Sequence, residues 1–128
     1  MFKIKKSNQQ PDSNDGFRIL VDRMWPLGLS KKTAKLDLWM KEIAPSNELL
    51  KMLGHDPEKY DIFKEQYLEE LKDKKELIKQ LKILKKFNNT ITLVHSTKDE
   101  EHNYAVVLMD LLEKPTKQVV MDISRIHG

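Results

Sequence analysis

Two short apolar runs near opposite ends of the chain, Phe17-Arg18-Ile19-Leu20-Val21-Asp22 and Thr90-Ile91-Thr92-Leu93-Val94-His95, constrain the fold most. Both are rich in β-branched and aliphatic residues, and each runs straight into a polar turn. Strands that are apolar on both faces belong in parallel sheets covered by helices. Strands 18–22 and 91–95 are therefore expected side by side in a mostly parallel sheet. The stretch between them reads largely as helix, so the fold class is α/β. We expect a single small domain over residues 1–128, with a central sheet of three to four short strands flanked by helices. The turns that follow the two strands then share one edge, where open α/β sheets bind ligands.

The remaining elements follow from periodicity and punctuation. Phe2-Lys3-Ile4 alternates and predicts a first strand, and Ser7–Gly16 is a polar loop. Ser30 is placed to cap a helical turn over 31–35. Leu36, Trp39, Met40 and Ile43 repeat at i, i+3, i+4, i+7, which predicts a short helix over 36–43 with Trp39 inward, ended by Pro45. Ser46 caps another helix that Gly54 stops. Asp56 with Pro57 behind it opens the next, whose buried stripe is Tyr60, Phe63, Tyr67 and Leu71. After a break near Asp73 the helical pattern continues, with Leu77, Leu81 and Leu84 on one face. Tyr104–Leu112 predicts a strongly apolar helix, and Gln118–Ile123 a last strand.

Composition narrows the function classes. With no cysteine, disulfides, thiolate nucleophiles and Cys-based zinc sites are excluded. Lys and Arg total 23 against 20 acids, a net charge of +3, which favours anionic partners only mildly. The N-terminus lacks an apolar run of signal-peptide length and no segment approaches a membrane span, so a cytoplasmic location without membrane contact is expected. No glycine-rich phosphate loop, His-Glu-x-x-His or Ser-His-Asp order is present, and no cofactor is expected.

The chemistry-bearing residues gather in the two strand-end turns. Asp22, Arg23, Trp25 and Gly28 follow the first strand; Ser96, Thr97, Lys98, Asp99, Glu101, His102 and Asn103 follow the second. Asp99 is placed to cap the last helix, whose amides would favour an anion near Ser96–Asp99. Arg23, Trp25, Gly28, Ser96, Lys98 and Asn103 are the candidate ligand contacts, for a small anionic molecule such as a nucleotide or phosphate. Asp22, His55, Asp99 and His102 are the candidate catalytic groups, with histidine the natural general base near neutrality. The bland alternative is that Asp22 and Arg23 form a structural ion pair and Trp25 fills the core. His95, Asp99 and His102 have no established metal-ligand spacing, so no metal is expected. A second surface is the stripe Lys72, Lys75, Lys79, Lys82 and Lys86 on the predicted helix 72–86, which is compatible with nucleic acid or a protein partner. Glutamates nearby also suit a solvated face.

Five linked motifs carry a resemblance: Val21-Asp22-Arg23-Met24-Trp25-Pro26-x-Gly28, Lys35-Leu36-Asp37-Leu38-Trp39, Ala44-Pro45-Ser46-x-x-Leu49, Gly54-His55-Asp56-Pro57 and Lys98-Asp99-Glu100-Glu101-His102-Asn103. In this order, over about residues 17–112, the chain resembles the DUF488 family in its YeaO-like branch. The resemblance implies a small α/β fold and brings Asp22, Arg23, Trp25, Pro26, Gly28, His55, Lys98, Asp99, His102 and Asn103 into play, without implying a substrate. Another branch carries Cys-x-Glu-Lys and Cys-His-Arg on the second turn. Here those positions read His95, Thr97, Lys98 and Asn103, Tyr104, Ala105, so thiol chemistry does not carry over.

Overall fold

Strand 91–95 is the centre of the molecule, because nothing in it can face water. In this computed structural model, which describes residues 1–114, all five residues of β4 (Ile91–His95) are buried. It is flanked by β1 (Phe2–Lys6) and β2 (Phe17–Leu20), with the two-residue β3 (Leu38–Trp39) outermost beside β2. All pairings are parallel: Phe2 and Phe17 both lie opposite Ile91, and Ile19 lies opposite Leu38. Each fully buried aliphatic of β4 contributes about 1.5–3 kcal/mol over exposure. The parallel α/β sheet expected from the apolar runs is present, and strands 2 and 4 are neighbours.

Helix α5 (Tyr104–Glu113) packs on β1 and β4, and α4 (Lys75–Asn88) on β4 and α5. Helix α3 (Tyr60–Lys72) packs on α5 and α2 (Asn47–Leu53), with Phe63, Tyr67 and Leu71 buried as the periodicity predicts. Ser46 caps α2 through its hydroxyl, which accepts from the Leu49 amide at 3.2 Å. Asp56 caps the 3-10 turn before α3, accepting from Glu58 N–H. The one-turn α1 (Lys31–Ala34) follows Ser30, whose side chain makes no cap. The strand expected at Gln118–Ile123 lies outside the described residues.

Three elements differ from expectation. Residues 36–43 are β3 plus a 3-10 turn at Lys41–Ile43, not a helix. Lys35 turns left-handed at φ 48°, after which Asp37 N–H donates to Arg18 C=O and Met40 N–H to Leu20 C=O. The Asp37 carboxylate also accepts the Arg18 amide at 2.8 Å. An open sheet edge thus captured a segment whose apolar spacing happened to match a helix. Trp39 accordingly faces outward, 38% exposed. The lysine stripe placed on one helix 72–86 spans two, because the break expected near Asp73 is present: α3 ends at Lys72 and α4 begins at Lys75. Strand 18–22 shifts to 17–20, although Val21 N–H still donates to Val94 C=O.

Strand β2 also buries a charge. Arg18 is 4% exposed; its Nη1 donates to Asp15 Oδ2 at 2.6 Å, and its Nε and Nη2 donate to Ala34 C=O. Asp15 takes Lys5 Nζ as well, at 3.1 Å. Burial works against the Asp15 carboxylate, but the Asp12 amide, Lys5 and Arg18 outweigh it and hold the carboxyl below its ordinary range. Gly16, between this cluster and β2, has φ +64° and sits so close to Thr90 that a Cβ would lie 2.3 Å from its carbonyl oxygen.

Candidate functional site

The parallel order of β2 and β4 delivers Asp22 and the turn after His95 to the same edge of the sheet. Asp22 is 3% exposed. Its Oδ1 accepts the Ser96 amide at 3.3 Å and the Tyr104 hydroxyl, while Oδ2 is buried without a partner. Burial pushes the Asp22 carboxyl upward, only partly offset by Ser96 and Tyr104. Burial and the Asp22 carboxylate together push the Tyr104 phenol up, so the proton stays on oxygen and is donated to Asp22. Asp22 and Arg23 form no ion pair. Arg23 instead lies near Lys74, whose pKa falls through burial first and the Arg23 charge in smaller part.

The turn itself is heavily cross-bonded. His95, 1% exposed, accepts the Thr97 amide at Nδ1 and is held neutral, its pKa lowered to about 4 by burial with a smaller push from Lys6. Asp99 Oδ1 accepts the amides of Glu101 and His102, and Oδ2 meets His102 Nδ1 at 3.0 Å. Asp99 does not cap the last helix. Asn103 does, accepting from Val106 N–H while its amide donates to Asp99 C=O. The amides of residues 96, 97, 101 and 102 are thus each paired with a side chain of the turn or of Asp22.

A cavity of about 670 Å³ opens between this turn and the connection from α2 to α3. Ser96, Thr97, Lys98, Asp99, His102, Asn103 and Tyr104 form one wall; Leu50, Leu53, Gly54, His55, Asp56 and Pro57 form the other. His55 therefore joins Lys98 and His102 around an apolar floor. Tyr60 supports the wall from below, donating to Asn103 C=O at 3.0 Å with its ring edge-on to His102, centroids 5.1 Å apart. Burial, with Asp110 and Asp99, raises its phenol to about 12.

The expected partner turn is elsewhere. Neither Arg23 nor Trp25 lines this cavity, and Gly28, at φ +79°, lines a different one of about 580 Å³ with residues 7–11, 29–30 and 32–35. Trp25 Nε1 donates to Leu29 C=O, and its ring meets that of Trp39 edge to face, centroids 5.6 Å apart. Trp39 Nε1 in turn donates to Asp22 C=O at 2.7 Å. The Trp-Pro turn is a crest built against β3, not the cavity's second wall. The short β3 has too weak a sequence signal to reveal this.

Of the lysine stripe, Lys72 belongs to α3 and pairs with Glu69 at 2.7 Å, and the other four belong to α4. Lys72, Lys75, Lys79 and Lys86 are exposed and Lys82 is half-buried. Among the described residues, no three His, Asp or Glu side chains gather as a metal site, and no helix is long and apolar enough to cross a membrane.

Comparison with known proteins places the chain in a family. A model of the inactive DUF488-N3 subclade matches residues 1–125. The chain belongs to the DUF488 family. Among relatives of this DUF488 protein, the uncharacterized protein YeaO of Escherichia coli is 42% identical over 110 residues, 86% of this chain and 95% of that one. The uncharacterized protein Rv3073c of Mycobacterium tuberculosis is 36% identical over 110 residues, 86% of this chain and 92% of its own. No solved structure matches the chain. Tyr104, which anchors Asp22, is not among the residues singled out as site candidates, and His95 is weighed there only as a metal ligand. An aromatic hydroxyl opening an apolar helix directly after the turn was the available signal for the first.

Proposed function

We propose that this DUF488 protein binds a small anionic molecule in the cavity between Leu50–Pro57 and Ser96–Tyr104, and that it binds without turnover. The observation that carries this reading is the 670 Å³ space in which Lys98, His55 and His102 surround an apolar floor of Leu50, Leu53 and Pro57. That size and that mixture suit a ligand with one anionic end and one flat or apolar end, such as a nucleoside monophosphate. Lys98 would act as a point charge for the anion, and the Asp99-paired His102 would add positive charge when protonated. Ser96 and Asn103 remain wall residues, while Arg23, Trp25 and Gly28 stand outside this proposal. Binding without chemistry is supported by the subclade's description as inactive. It is supported too by Asp22, whose carboxylate sits behind Ser96 and Tyr104 and is not part of the lining.

Thermal-shift titration with inorganic phosphate, pyrophosphate, AMP and ribose 5-phosphate tests this. A ligand at about a hundredfold its Kd stabilises by about 2.7 kcal/mol, a Tm rise of roughly 10 °C for a chain of this size. The rise should vanish in Lys98→Glu and shrink in His55→Ala, and the bound probe should be recovered unchanged. A flat screen, or a rise that persists in Lys98→Glu, refutes the assignment.

A further inference from the structure

The crest carries features that neither the fold nor the cavity uses. Both tryptophans of the chain are there, beside Met24 at 73% exposure and a fully exposed Leu27. Each indole has a lysine ammonium over its ring: Lys31 Nζ is 5.9 Å from the Trp25 centroid and Lys41 Nζ 5.8 Å from that of Trp39. Trp39 is 38% exposed and Trp25 half-buried, so both rings are partly open to solvent. Residues 23–42 hold five basic side chains against Asp37 and Glu42, a balance of +3 that equals the net charge of the whole chain. The crest is thus locally basic, although residues 72–86 carry a larger excess, seven lysines against Asp73 and Glu76.

The cavity of about 580 Å³ adjoins it, through Gly28, Leu29 and Ser30, and is walled by polar groups with Lys32 and Lys35 at its rim. Leu29 is the residue whose carbonyl accepts the Trp25 indole. Aromatic faces beside a basic, polar groove are the two parts of a single-strand platform: bases stack on rings while the groove tracks phosphates. A protein partner would match the aliphatic tips, but it leaves unexplained why a cation stands over each ring.

We infer that the crest of Trp25 and Trp39 with Lys31, Lys32, Lys35 and Lys41 binds single-stranded nucleic acid. On binding, the two ammoniums leave the rings for phosphates and bases take their place. This site uses none of the cavity residues and is distinct from the lysine stripe of α4.

Because the tryptophans are confined to the crest, intrinsic fluorescence reads the site directly. Titration of the full chain with oligo-dT and oligo-U twelve-mers at low salt should give saturable quenching. The salt slope should approach −3, from about 0.7 per neutralised phosphate with four lysines engaged. Lys31→Glu/Lys41→Glu, both exposed positions, should weaken binding by at least tenfold. Trp39→Ala should weaken it about fivefold to a hundredfold, since a stacked base is worth about 1–3 kcal/mol, and Trp39→Phe should restore most of it. Lys98→Glu should bind the oligomers like the parent chain, which separates this site from the anion cavity. Absence of quenching overturns the inference. So does loss of binding in Lys75→Glu/Lys79→Glu/Lys82→Glu with the crest intact, or polyglutamate competing as well as oligo-dT, which would assign the crest to an acidic protein.

Discussion

His95 offers the sharpest test of how the turn beside the cavity is held together. Its imidazole is sealed at the end of β4, accepts the Thr97 amide at Nδ1, and is kept neutral with a pKa lowered to about 4 from 6.5. The unfolded chain therefore takes up this proton first as pH falls. Stability contributed by neutral His95 is complete above the unfolded value, is lost progressively below it, and is gone below about pH 4. Across the whole window the difference is of the order of 3 kcal/mol; between about pH 7 and pH 5 it is about 2 kcal/mol. His95→Gln retains an acceptor for the Thr97 amide but no titratable ring. Urea melts of the parent and the variant, followed by circular dichroism, should give curves that converge by about 2 kcal/mol over that interval. Asp22, with its raised pKa, works in the opposite sense, and Asp15 and Asp99, with lowered pKa values, lose stability only at lower pH. All three are present in both proteins and cancel in the difference. Parallel curves, or an imidazole resonance for His95 titrating above pH 6, would refute the reasoning.

Gly16→Ala should cost at least about 2–3 kcal/mol in urea melts, because φ +64° is strained for alanine and the new Cβ meets Thr90 main chain at 2.3 Å; a loss below 1 kcal/mol, on the order of an ordinary surface change, would contradict it. Asp15→Ala strands the Arg18 guanidinium and should cost about 3–5 kcal/mol. Ser46→Ala removes a cap on Leu49 N–H and a hydroxyl bond to Glu70 and should cost about 1 kcal/mol, with a smaller effect counting against the cap. Asp22→Ala releases the Ser96 amide and Tyr104 hydroxyl in the cavity wall and should reduce any phosphate-induced thermal shift while leaving the tryptophan emission maximum in place, because Trp39 is held by the Asp22 main-chain carbonyl and not by its carboxylate; a red-shifted emission would show that the crest depends on the side chain after all.

The parallel sheet was legible because β2 and β4 are apolar throughout, and burial on both faces leaves little choice of architecture. Ser46, Asp56 and the stripe of α3 were legible for the same reason: caps and periodicity act over a few residues. What escaped depended on distant partners. Leu36, Trp39, Met40 and Ile43 match a helix, yet the free edge of β2 offered the Asp37 and Met40 amides carbonyl partners at Arg18 and Leu20. Arg18 is a charge inside an apolar run, and only the approach of Asp15 and the Ala34 carbonyl lets it stay buried. At the candidate site, the Ser96–Asn103 wall follows from its place after an apolar strand and from its polar residues. Its facing wall was assigned to the Trp-Pro turn because both follow neighbouring strands, whereas the fold brings Gly54–Pro57 there through the packing of α2 and α3.

Asp22 explains how one residue can belong to both surfaces without merging them. Its main-chain carbonyl accepts the Trp39 indole on the crest side, and its carboxylate accepts Ser96 and Tyr104 on the cavity side. A main-chain acceptor is indifferent to the charge and identity of the side chain beyond it. The carboxylate is not: it is desolvated, its Oδ2 has no partner, and its protonation is set by the same turn that walls the cavity. Ser96 and Tyr104 thus tie the carboxylate to the cavity wall, while the peptide backbone ties Trp39 to the same residue. The two strand-end turns do not line one cavity but share Asp22 as an anchor, because the direction in which each group on Asp22 points decides which turn it serves.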